Sequence, residues 1–275
     1  MEVKFYGVRG SISVSGPRYN EFGGNTTCFQ IMASETKRIG IIDAGTGIRQ
    51  LGADFLAMGT DQSEIFVAFT HFHWDHIQGF PFFAPAYDPD MTLVLLAKGG
   101  DPKIDTLKDI FAAQMQEIYF PVAMEDMGAR FKFMLLENNT QTFRPPDGVP
   151  VRVTALRHKH PGGAYSYRYE RAGRSVVFAT DIEHGDCIDM NLVRLAQGAD
   201  ILIHDGQYSN QELVKKKGWG HSSYEQAAEV AIQANVKQLV VTHHDPDHDD
   251  EHLRSAERIC QDIFPDTLFA REGWW

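Results

Sequence analysis

Four side chains of the metal-ligand type follow directly after a short apolar segment, and this arrangement constrains the chain more than any other feature. Residues 65–69 (IFVAF) are predicted to form a buried strand. The next residues include His71, His73, Asp75 and His76. Alternate side chains of an extended turn point the same way, so the first pair can face one point and the second pair a neighbouring one. Because Zn²⁺ and similar cations prefer imidazole and carboxylate ligands, the segment predicts a metal site rather than a polar loop of unrelated histidines.

Composition and charge favour an ordinary globular protein. The chain has 275 residues, of which 43% are hydrophobic and 23% are charged, enough to bury a large core. The formal net charge is −11. A general polynucleotide-binding surface needs clustered basic residues that neutralise phosphates, so large nucleic acids are not expected as partners.

Cysteine content and the N-terminal sequence bear on location. The three cysteines, Cys28, Cys187 and Cys260, are too few and too scattered for a disulfide framework or a zinc finger. The N-terminus has no basic segment followed by an apolar one, and no apolar run is long enough for a membrane span. We therefore expect a cytoplasmic protein without membrane association.

The distribution of strand and helix patterns indicates the fold class. Predicted strands occur in groups and include residues 28–33, 38–42, 130–136, 151–156 and 238–242. Helices are predicted at intervals in each half of the chain, without internal repeats or low-complexity linkers. We expect a single domain over residues 1–275, of the α/β class, with two packed mixed β-sheets flanked by helices. Residues 103–116 are predicted to be helical, and the segment 103–127 is a candidate lid.

Isolated polar residues follow several further predicted strands. Each of them alone is more typical of a surface or capping residue, but a set of strand ends at one sheet edge is where a rigid scaffold holds catalytic groups. The residues are His158, His160, Asp181, His204, Asp205, His243 and His244.

The order of these motifs resembles the metallo-β-lactamase superfamily over nearly the whole chain. The resemblance implies an αββα sandwich with two divalent metal ions, Zn²⁺ in the first place and Mn²⁺ or Fe²⁺ as alternatives, which share a water or hydroxide. It also implies a ligand set: His71, His73 and His160 for the first metal, Asp75, His76 and His243 for the second, and Asp181 bridging both.

Three assignments within this resemblance have alternatives. His158 is the rival of His160, which is preferred because it directly precedes Pro-Gly-Gly and a strand, as in relatives that hydrolyse phosphodiesters. His244 is the rival of His243, which is nearer to the strand end. Asp43, in the segment IDAGTG, is expected to hold a ligand imidazole or a loop in place, and otherwise is a turn residue.

A second motif points to one branch of the superfamily. The segment 220–223 (GHSS) resembles the His-Ser-Thr motif of the ribonuclease Z branch, and the segment 204–207 (HDGQ) occupies the place of its His-Glu-Ala-Thr loop. The resemblance implies that Asp205 orients His221 and that His221 is the general acid. Together with Asp75 they are the predicted catalytic residues. A purely structural role for His221 is the alternative.

The chain also departs from ribonuclease Z. It has no long arm rich in glycine and proline, and its acidic charge suits a large RNA poorly. Segments such as GVRGS, HPGG and GWGHSS resemble smaller bacterial hydrolases that are grouped with class II cyclic-nucleotide phosphodiesterases. We therefore expect a dinuclear-metal phosphodiesterase that acts on a small-molecule phosphodiester, such as a nucleotide. A homodimer is a family-level expectation.

Two other functions remain open at this point. The same metals could hydrolyse an acyl bond, as in a lactone or thioester, although a placed acid favours a phosphate ester. A non-hydrolytic diiron module is opposed by His73, since the diiron flavoprotein branch usually has Glu there. The two C-terminal tryptophans, Trp274 and Trp275, are expected to pack on their own domain or on a partner, because two exposed indoles at a chain end would be unusual.

Overall fold

The structure, a computed structural model, describes residues 1–99 and 104–274. Lys103, predicted to begin a helix, and Trp275, predicted to pack, lie outside the described residues. The chain divides into two compact units. The first comprises Met1–Gly7, Asn25–Asn138 and Gly273–Trp275, and the second comprises Val8–Gly24 and Asn139–Glu272.

A six-stranded mixed sheet forms the centre of the first unit. Its strands pair in chain order, antiparallel from β1 to β3 and parallel from β3 to β6. They are β1 (Glu2–Gly7), β2 (Cys28–Ala33), β3 (Arg38–Ile42), β4 (Glu64–Ala68), β5 (Thr92–Lys98) and β6 (Arg130–Leu136). The helices are α1 (Ile48–Ala57), α2 (Trp74–Ile77) and α3 (Ile104–Gln114).

Aromatic and aliphatic side chains fill the core of this unit. Every residue of β5 is buried, as expected for a strand in the parallel part of a sheet with both faces covered. Phe111 of α3 packs against Phe69 and Phe80, with ring centroids 4.9 Å and 4.7 Å away. This packing fixes the segment on either side of the histidine motif, since Phe69 precedes it and Phe80 follows it.

The second unit contains a seven-stranded mixed sheet in the order β13-β12-β11-β10-β9-β8-β7. Strands β7 to β10 pair antiparallel, and β10 to β13 pair parallel. They are β7 (Thr140–Phe143), β8 (Val151–His158), β9 (Ala164–Arg171), β10 (Arg174–Ala179), β11 (Ile201–Asp205), β12 (Gln238–Thr242) and β13 (Thr267–Phe269). The helices are α4 (Met190–Ala196), α5 (Asn210–Leu213), α6 (Tyr224–Gln233) and α7 (Asp250–Ile263).

Small side chains and helix caps define the packing of the second unit. Helix α6 buries Ala227, Ala228 and Ala231, which lets it lie close to the strands beneath it. Helices α5 and α6 both begin with a capping box, in which Ser209 and Ser223 are the N-cap residues. Such boxes satisfy backbone N–H groups at the start of a helix, so the loops entering both helices are fixed.

The two mixed sheets and their helices agree with the predicted α/β class. The strands β2, β3, β6 and β12 have the predicted bounds, whereas β7, β13, α2 and α5 were not predicted. None of the helices in the described part of the chain combines the length and the apolar character that a membrane crossing requires. The single domain over residues 1–275 and the homodimer stay predictions.

Candidate active site

Three residues at strand ends have an unusual backbone conformation. Asp43, Asp181 and His243 follow β3, β10 and β12, and their φ angles are 60°, 59° and 63°. Non-glycine residues rarely adopt this left-handed region, although Asp and His are enriched among those that do. Each such residue costs on the order of 1–3 kcal/mol and persists where the surrounding structure enforces it, often at functional sites.

In the first unit, Asp43 holds one predicted metal ligand. Strands β3 and β4 are parallel, so their carboxyl ends lie side by side and bring Asp43 next to Thr70. Asp43 accepts hydrogen bonds from the Thr70 backbone N–H and hydroxyl, both 2.8 Å long. Its Oδ2 also lies 2.8 Å from Nδ1 of His76. Burial raises the pKa of the Asp43 carboxyl above its ordinary value, although His76 and the bonds from Thr70 oppose the shift.

The four ligand-type residues of the histidine motif lie close to one another. The ring centroid of His71 is 4.5 Å from that of His73 and 4.3 Å from that of His76. Oδ2 of Asp75 lies 3.4 Å from Nε2 of His76. Helix α2 begins immediately after His73, which is its N-cap residue, so Asp75 and His76 belong to its first turn. His73 is exposed, and the other three are buried.

In the second unit, the geometry favours His160 over His158. Both ring nitrogens of His158 have partners inside the protein: Nδ1 is 2.9 Å from Oγ of Ser166, and Nε2 is 3.2 Å from the backbone oxygen of Asp181. His160 uses Nδ1 for the backbone oxygen of Gly220, at 2.8 Å. Its Nε2 is 4.0 Å from Oδ1 of Asp181. Both ring nitrogens of His158 are thus engaged within the second unit, whereas Nε2 of His160 faces the carboxylate of Asp181.

The geometry likewise favours His243 over His244. Nε2 of His243 lies 3.2 Å from Oδ1 of Asp181. His244 points elsewhere: its Nε2 is 3.0 Å from the backbone oxygen of Ala270, and its ring stacks on Phe269 with centroids 5.5 Å apart. His244 therefore belongs to the core of the second unit.

The ends of three parallel strands, together with the loop that enters α6, bring four predicted site residues into one cluster. Because β10, β11 and β12 run parallel, their carboxyl ends share one edge of the sheet, the usual location of functional groups in such sheets. One ligand atom from each residue lies within 4.8 Å of those of the others. The cluster consists of Asp181, Asp205, His221 and His243.

Asp205 is fully buried and surrounded by N–H groups. Its Oδ2 accepts from the Asp181 backbone N–H at 3.0 Å and lies 2.9 Å from Nδ1 of His221. Its Oδ1 accepts from the backbone N–H groups of Gln207 at 3.2 Å and Ser222 at 3.0 Å. Burial alone would raise the pKa of Asp205, but the charge and hydrogen bond of His221 together with the charge of His243 lower it. An ionised Asp205 therefore holds His221 in one orientation.

Two residues that support the site were not found from the sequence. Glu183 accepts a hydrogen bond from the Gly220 N–H, 3.0 Å long, and so fixes the segment that enters His221. At Gly10 a Cβ atom would lie 2.4 Å from the ring of His243, so only glycine fits there without displacing the imidazole. Gly10 and Gly220 lie in the motifs GVRGS and GWGHSS. Their contacts with His243 and Glu183 could not be predicted, because these partners are distant in the sequence.

The donor set fits divalent metal ions. Three predicted ligand imidazoles have Nδ1 engaged by the protein: His71 by the Thr70 hydroxyl at 3.1 Å, His76 by Asp43, and His160 by Gly220. Metal-binding histidines typically use one nitrogen in this way and present the other to the metal. Here that other nitrogen is Nε2 in each case.

The sequence matches one family model and is similar to curated proteins. The model for the Beta-lactamase superfamily domain matches residues 38–244. A ribonuclease Z of Synechococcus sp. (strain CC9311) is 25% identical over 327 residues, an alignment that covers 99% of this chain and 97% of that protein.

Solved structures show the same fold. The metallo-β-lactamase fold protein YhfI from Bacillus subtilis superposes with a TM-score of 0.72 at 18% identity, over 99% of this chain and 97% of that one. A diphosphatase of the PhnP family superposes with a TM-score of 0.68 at 17% identity, over 98% of this chain and 95% of that one. The predicted fold class is therefore confirmed.

Proposed function

The chain belongs to the β-lactamase superfamily, and from this premise we propose that it is a metal-dependent phosphodiesterase that acts on a small nucleotide-type or other phosphodiester. Its relatives include a ribonuclease Z that matches nearly the full length of the chain, and it is a hydrolase like them. The observation that carries the proposal is the buried pair of Asp205 and His221, with 2.9 Å between Oδ2 and Nδ1.

We propose that the ligand set predicted from the sequence binds two divalent ions, Zn²⁺ in the first place. When bound, two such ions supply a nucleophilic hydroxide near neutral pH and neutralise charge on a phosphate. The ligands are His71, His73 and His160 for one ion, Asp75, His76 and His243 for the other, and Asp181 for both. Asp43 and Gly220 orient His76 and His160 through the contacts described above.

The role of His221 in this proposal is to protonate the leaving oxygen. Asp205 engages Nδ1 of the imidazole, so Nε2 is the nitrogen that can deliver a proton to a substrate. An alkoxide leaving group gains much from such a proton, whereas an acyl transfer to hydroxide depends on it less. The pair therefore favours phosphodiester cleavage over acyl hydrolysis.

Residues close to His221 along the chain support a nucleotide-type substrate. Trp219 is 57% exposed, and the Nζ atom of Lys216 lies 4.1 Å above its ring. Lys216 is the centre of a run of three lysines, residues 215–217, in a chain of net charge −11. An exposed indole in contact with a cation suits a base and a phosphate, because stacking of a base on an aromatic side chain contributes about 1–3 kcal/mol.

An RNA substrate is the second candidate, and the similarity to a ribonuclease Z favours it. The absence of a long arm in the sequence and the net charge of −11 favour the smaller substrate. The two candidates share the same chemistry at the phosphate, so they differ only in what lies beyond it.

A substrate panel tests the proposal. The purified protein would be assayed with Zn²⁺, Mn²⁺ and Fe²⁺ on bis-p-nitrophenyl phosphate, cyclic nucleotides, a short RNA, p-nitrophenyl acyl esters and lactones. We expect turnover of the phosphodiesters, with nucleotides preferred to RNA. Hydrolysis of acyl esters or lactones alone would contradict the proposal, and a preference for RNA would select the second candidate.

Replacement of His221 tests the acid directly. In His221→Ala we expect turnover of diesters with poor leaving groups to fall by about 10²–10⁴, the usual contribution of a positioned acid. With p-nitrophenolate the loss should be much smaller, because this anion departs without a proton. Equal losses on both substrates would rule out acid catalysis, and loss of bound metal would make His221 a ligand.

A further inference from the structure

A second group of ligand-type side chains lies in the second unit, apart from all the residues discussed above. Glu212 belongs to α5, His248 precedes α7, and His252 lies in the first turn of α7. One ligand atom of each residue lies within 4.8 Å of those of the other two. We propose that these three residues bind an additional divalent metal ion, of the borderline class that takes imidazole and carboxylate together, with Zn²⁺ as the first choice.

The state of His252 is the main reason for this proposal. Its Nε2 atom is buried and has no hydrogen-bond partner within the described part of the chain. The ring stacks on that of His248, with centroids 3.7 Å apart and planes inclined by 16°. A buried polar atom without a partner is costly, and a metal ion would satisfy it. A merely structural histidine would be expected to find a donor or acceptor instead.

The other two ligands are already positioned. Oε1 of Glu212 lies 2.8 Å from Nε2 of His248. Its Oε2 accepts from the Ser209 N–H and hydroxyl, at 2.7 Å and 2.8 Å, in the capping box of α5. Metal binding through Oε1 therefore leaves the capping box intact. Metal binding at Nε2 of His248 requires this nitrogen to give up its proton, to Nδ1 of the same ring from a neutral imidazole or to solvent from an imidazolium, so that a neutral imidazole and a carboxylate face the ion.

The backbone around the histidines is also fixed before any metal binds. His248 directly precedes Asp249, the N-cap residue of α7, and its ring lies against that of His252 in the first helical turn. Asp249 caps the helix by accepting from the His252 N–H at 3.0 Å. The guanidinium of Arg9, which is fully buried, donates to the backbone oxygen of His248 at 2.6 Å. The donors thus need only small side-chain adjustments.

The role that follows is structural. A metal ion at this position would join α5 to the N-terminus of α7. It would also stabilise the turn in which the His248 N–H donates a hydrogen bond of 3.1 Å to the Asp245 backbone oxygen. That turn follows directly after His243 and His244 in the sequence. The ion would therefore support the segment that carries a predicted catalytic ligand without taking part in the reaction.

Metal analysis of matched variants tests the inference. Untagged protein would be stripped with a chelator, dialysed against micromolar Zn²⁺ and analysed for bound metal. The variants are His252→Gln and Glu212→Gln, and glutamine at position 212 can still complete the capping box. The control is Glu229→Gln, since Glu229 is exposed on α6 and accepts only from Gln233 among the hydrogen bonds observed.

We expect each of the two variants to bind one equivalent less than wild type and the control to bind the same amount. Unchanged metal content in both variants would overturn the inference. Turnover of bis-p-nitrophenyl phosphate should persist in the variants. If turnover is lost together with one metal ion, the missing ion belongs to the catalytic ligands, and the inference is overturned as well. The difference in bound metal between the variants and wild type tests the additional site even if no substrate is hydrolysed. Failure of the proposed function can therefore be distinguished from failure of this inference.

Discussion

Asp205→Asn is the substitution for which the structure makes the sharpest prediction. All four observed partners of this carboxylate are N–H groups: the backbone of Asp181, Gln207 and Ser222, and the ring of His221. An asparagine replaces one oxygen by NH₂. In either orientation of the amide, two N–H groups then face another donor inside a fully buried site.

The magnitude follows from these contacts. If the amide nitrogen replaces Oδ2, His221 can restore its bond by accepting at Nδ1, but the backbone N–H of Asp181 cannot. A buried donor left without an acceptor costs about 1–3 kcal/mol, and bonds to a charged group are stronger than those to a neutral one. We expect the free energy of unfolding to fall by about 2–4 kcal/mol. Turnover of diesters with poor leaving groups should fall by about 10²–10⁴, because the carboxylate that orients His221 through Nδ1 is lost.

Urea unfolding and steady-state kinetics measure both effects. The matched control is Asp189→Asn, since Asp189 caps α4 by accepting from the Asn191 N–H and asparagine is an equally good N-cap residue. The control should behave as wild type in both assays. Wild-type stability of Asp205→Asn would refute the account of four converging donors. An equal loss of turnover on alkyl and p-nitrophenyl diesters would refute the orienting role.

Four further outcomes are expected. Asp181→Ala should lose both catalytic metal ions, because its carboxylate is proposed to bind both. If this variant still binds two equivalents of metal in addition to any ion at Glu212, His248 and His252, the assignment is contradicted. Elemental analysis should show metal loss in His160→Ala and none in His158→Ala; the reverse would identify His158 as the ligand. Gly10→Ala should weaken metal binding while circular dichroism stays unchanged, since its Cβ would lie 2.4 Å from the His243 ring, and a wild-type metal affinity would contradict this contact. Burial lowers the pKa of His158 to about 4, below the value of about 6.5 in an unfolded chain. Unfolding therefore takes up a proton between these two pH values. His158 alone should lower the free energy of unfolding by about 3 kcal/mol from pH 7 to pH 4. Urea midpoints that do not change over this pH range would exclude this contribution.

The elements predicted well are those with clear apolar runs. Strand β12 was located at its observed bounds because Leu239, Val240 and Val241 are followed by polar residues. Strand β7 was missed because Thr140–Phe143 is a polar edge strand that is stabilised only by its pairing with β8. Strand β13 has three residues and depends on its register with β12. Strands β7 and β13 both depend on tertiary pairing, which cannot be predicted from the local sequence.

The same distinction applies to the site. The histidine motif could be recognised because its ligands are adjacent in sequence. The choice between His158 and His160 depends on where β8 ends. The strand runs to His158, which pairs with Ala164 on β9, two residues beyond the predicted end at Leu156. In that position the ring nitrogens of His158 meet Ser166 and the backbone of Asp181, contacts that only the folded sheet creates.

The left-handed backbone at Asp43, Asp181 and His243 also limits how this sequence can diverge. Apart from glycine, the residue types that tolerate such φ angles best are Asn, Asp and His. Of these, only Asp and His suit the metal-binding roles proposed for Asp181 and His243, and only Asp supplies the carboxylate with which Asp43 contacts Nδ1 of His76. Glutamate or cysteine would supply a suitable donor group but would not tolerate the positive φ angle. Asparagine or glycine would tolerate the φ angle but would not supply the donor group. Two independent requirements thus select the same residues, so neutral drift at these three positions should be far slower than at the solvent-facing strand positions around them.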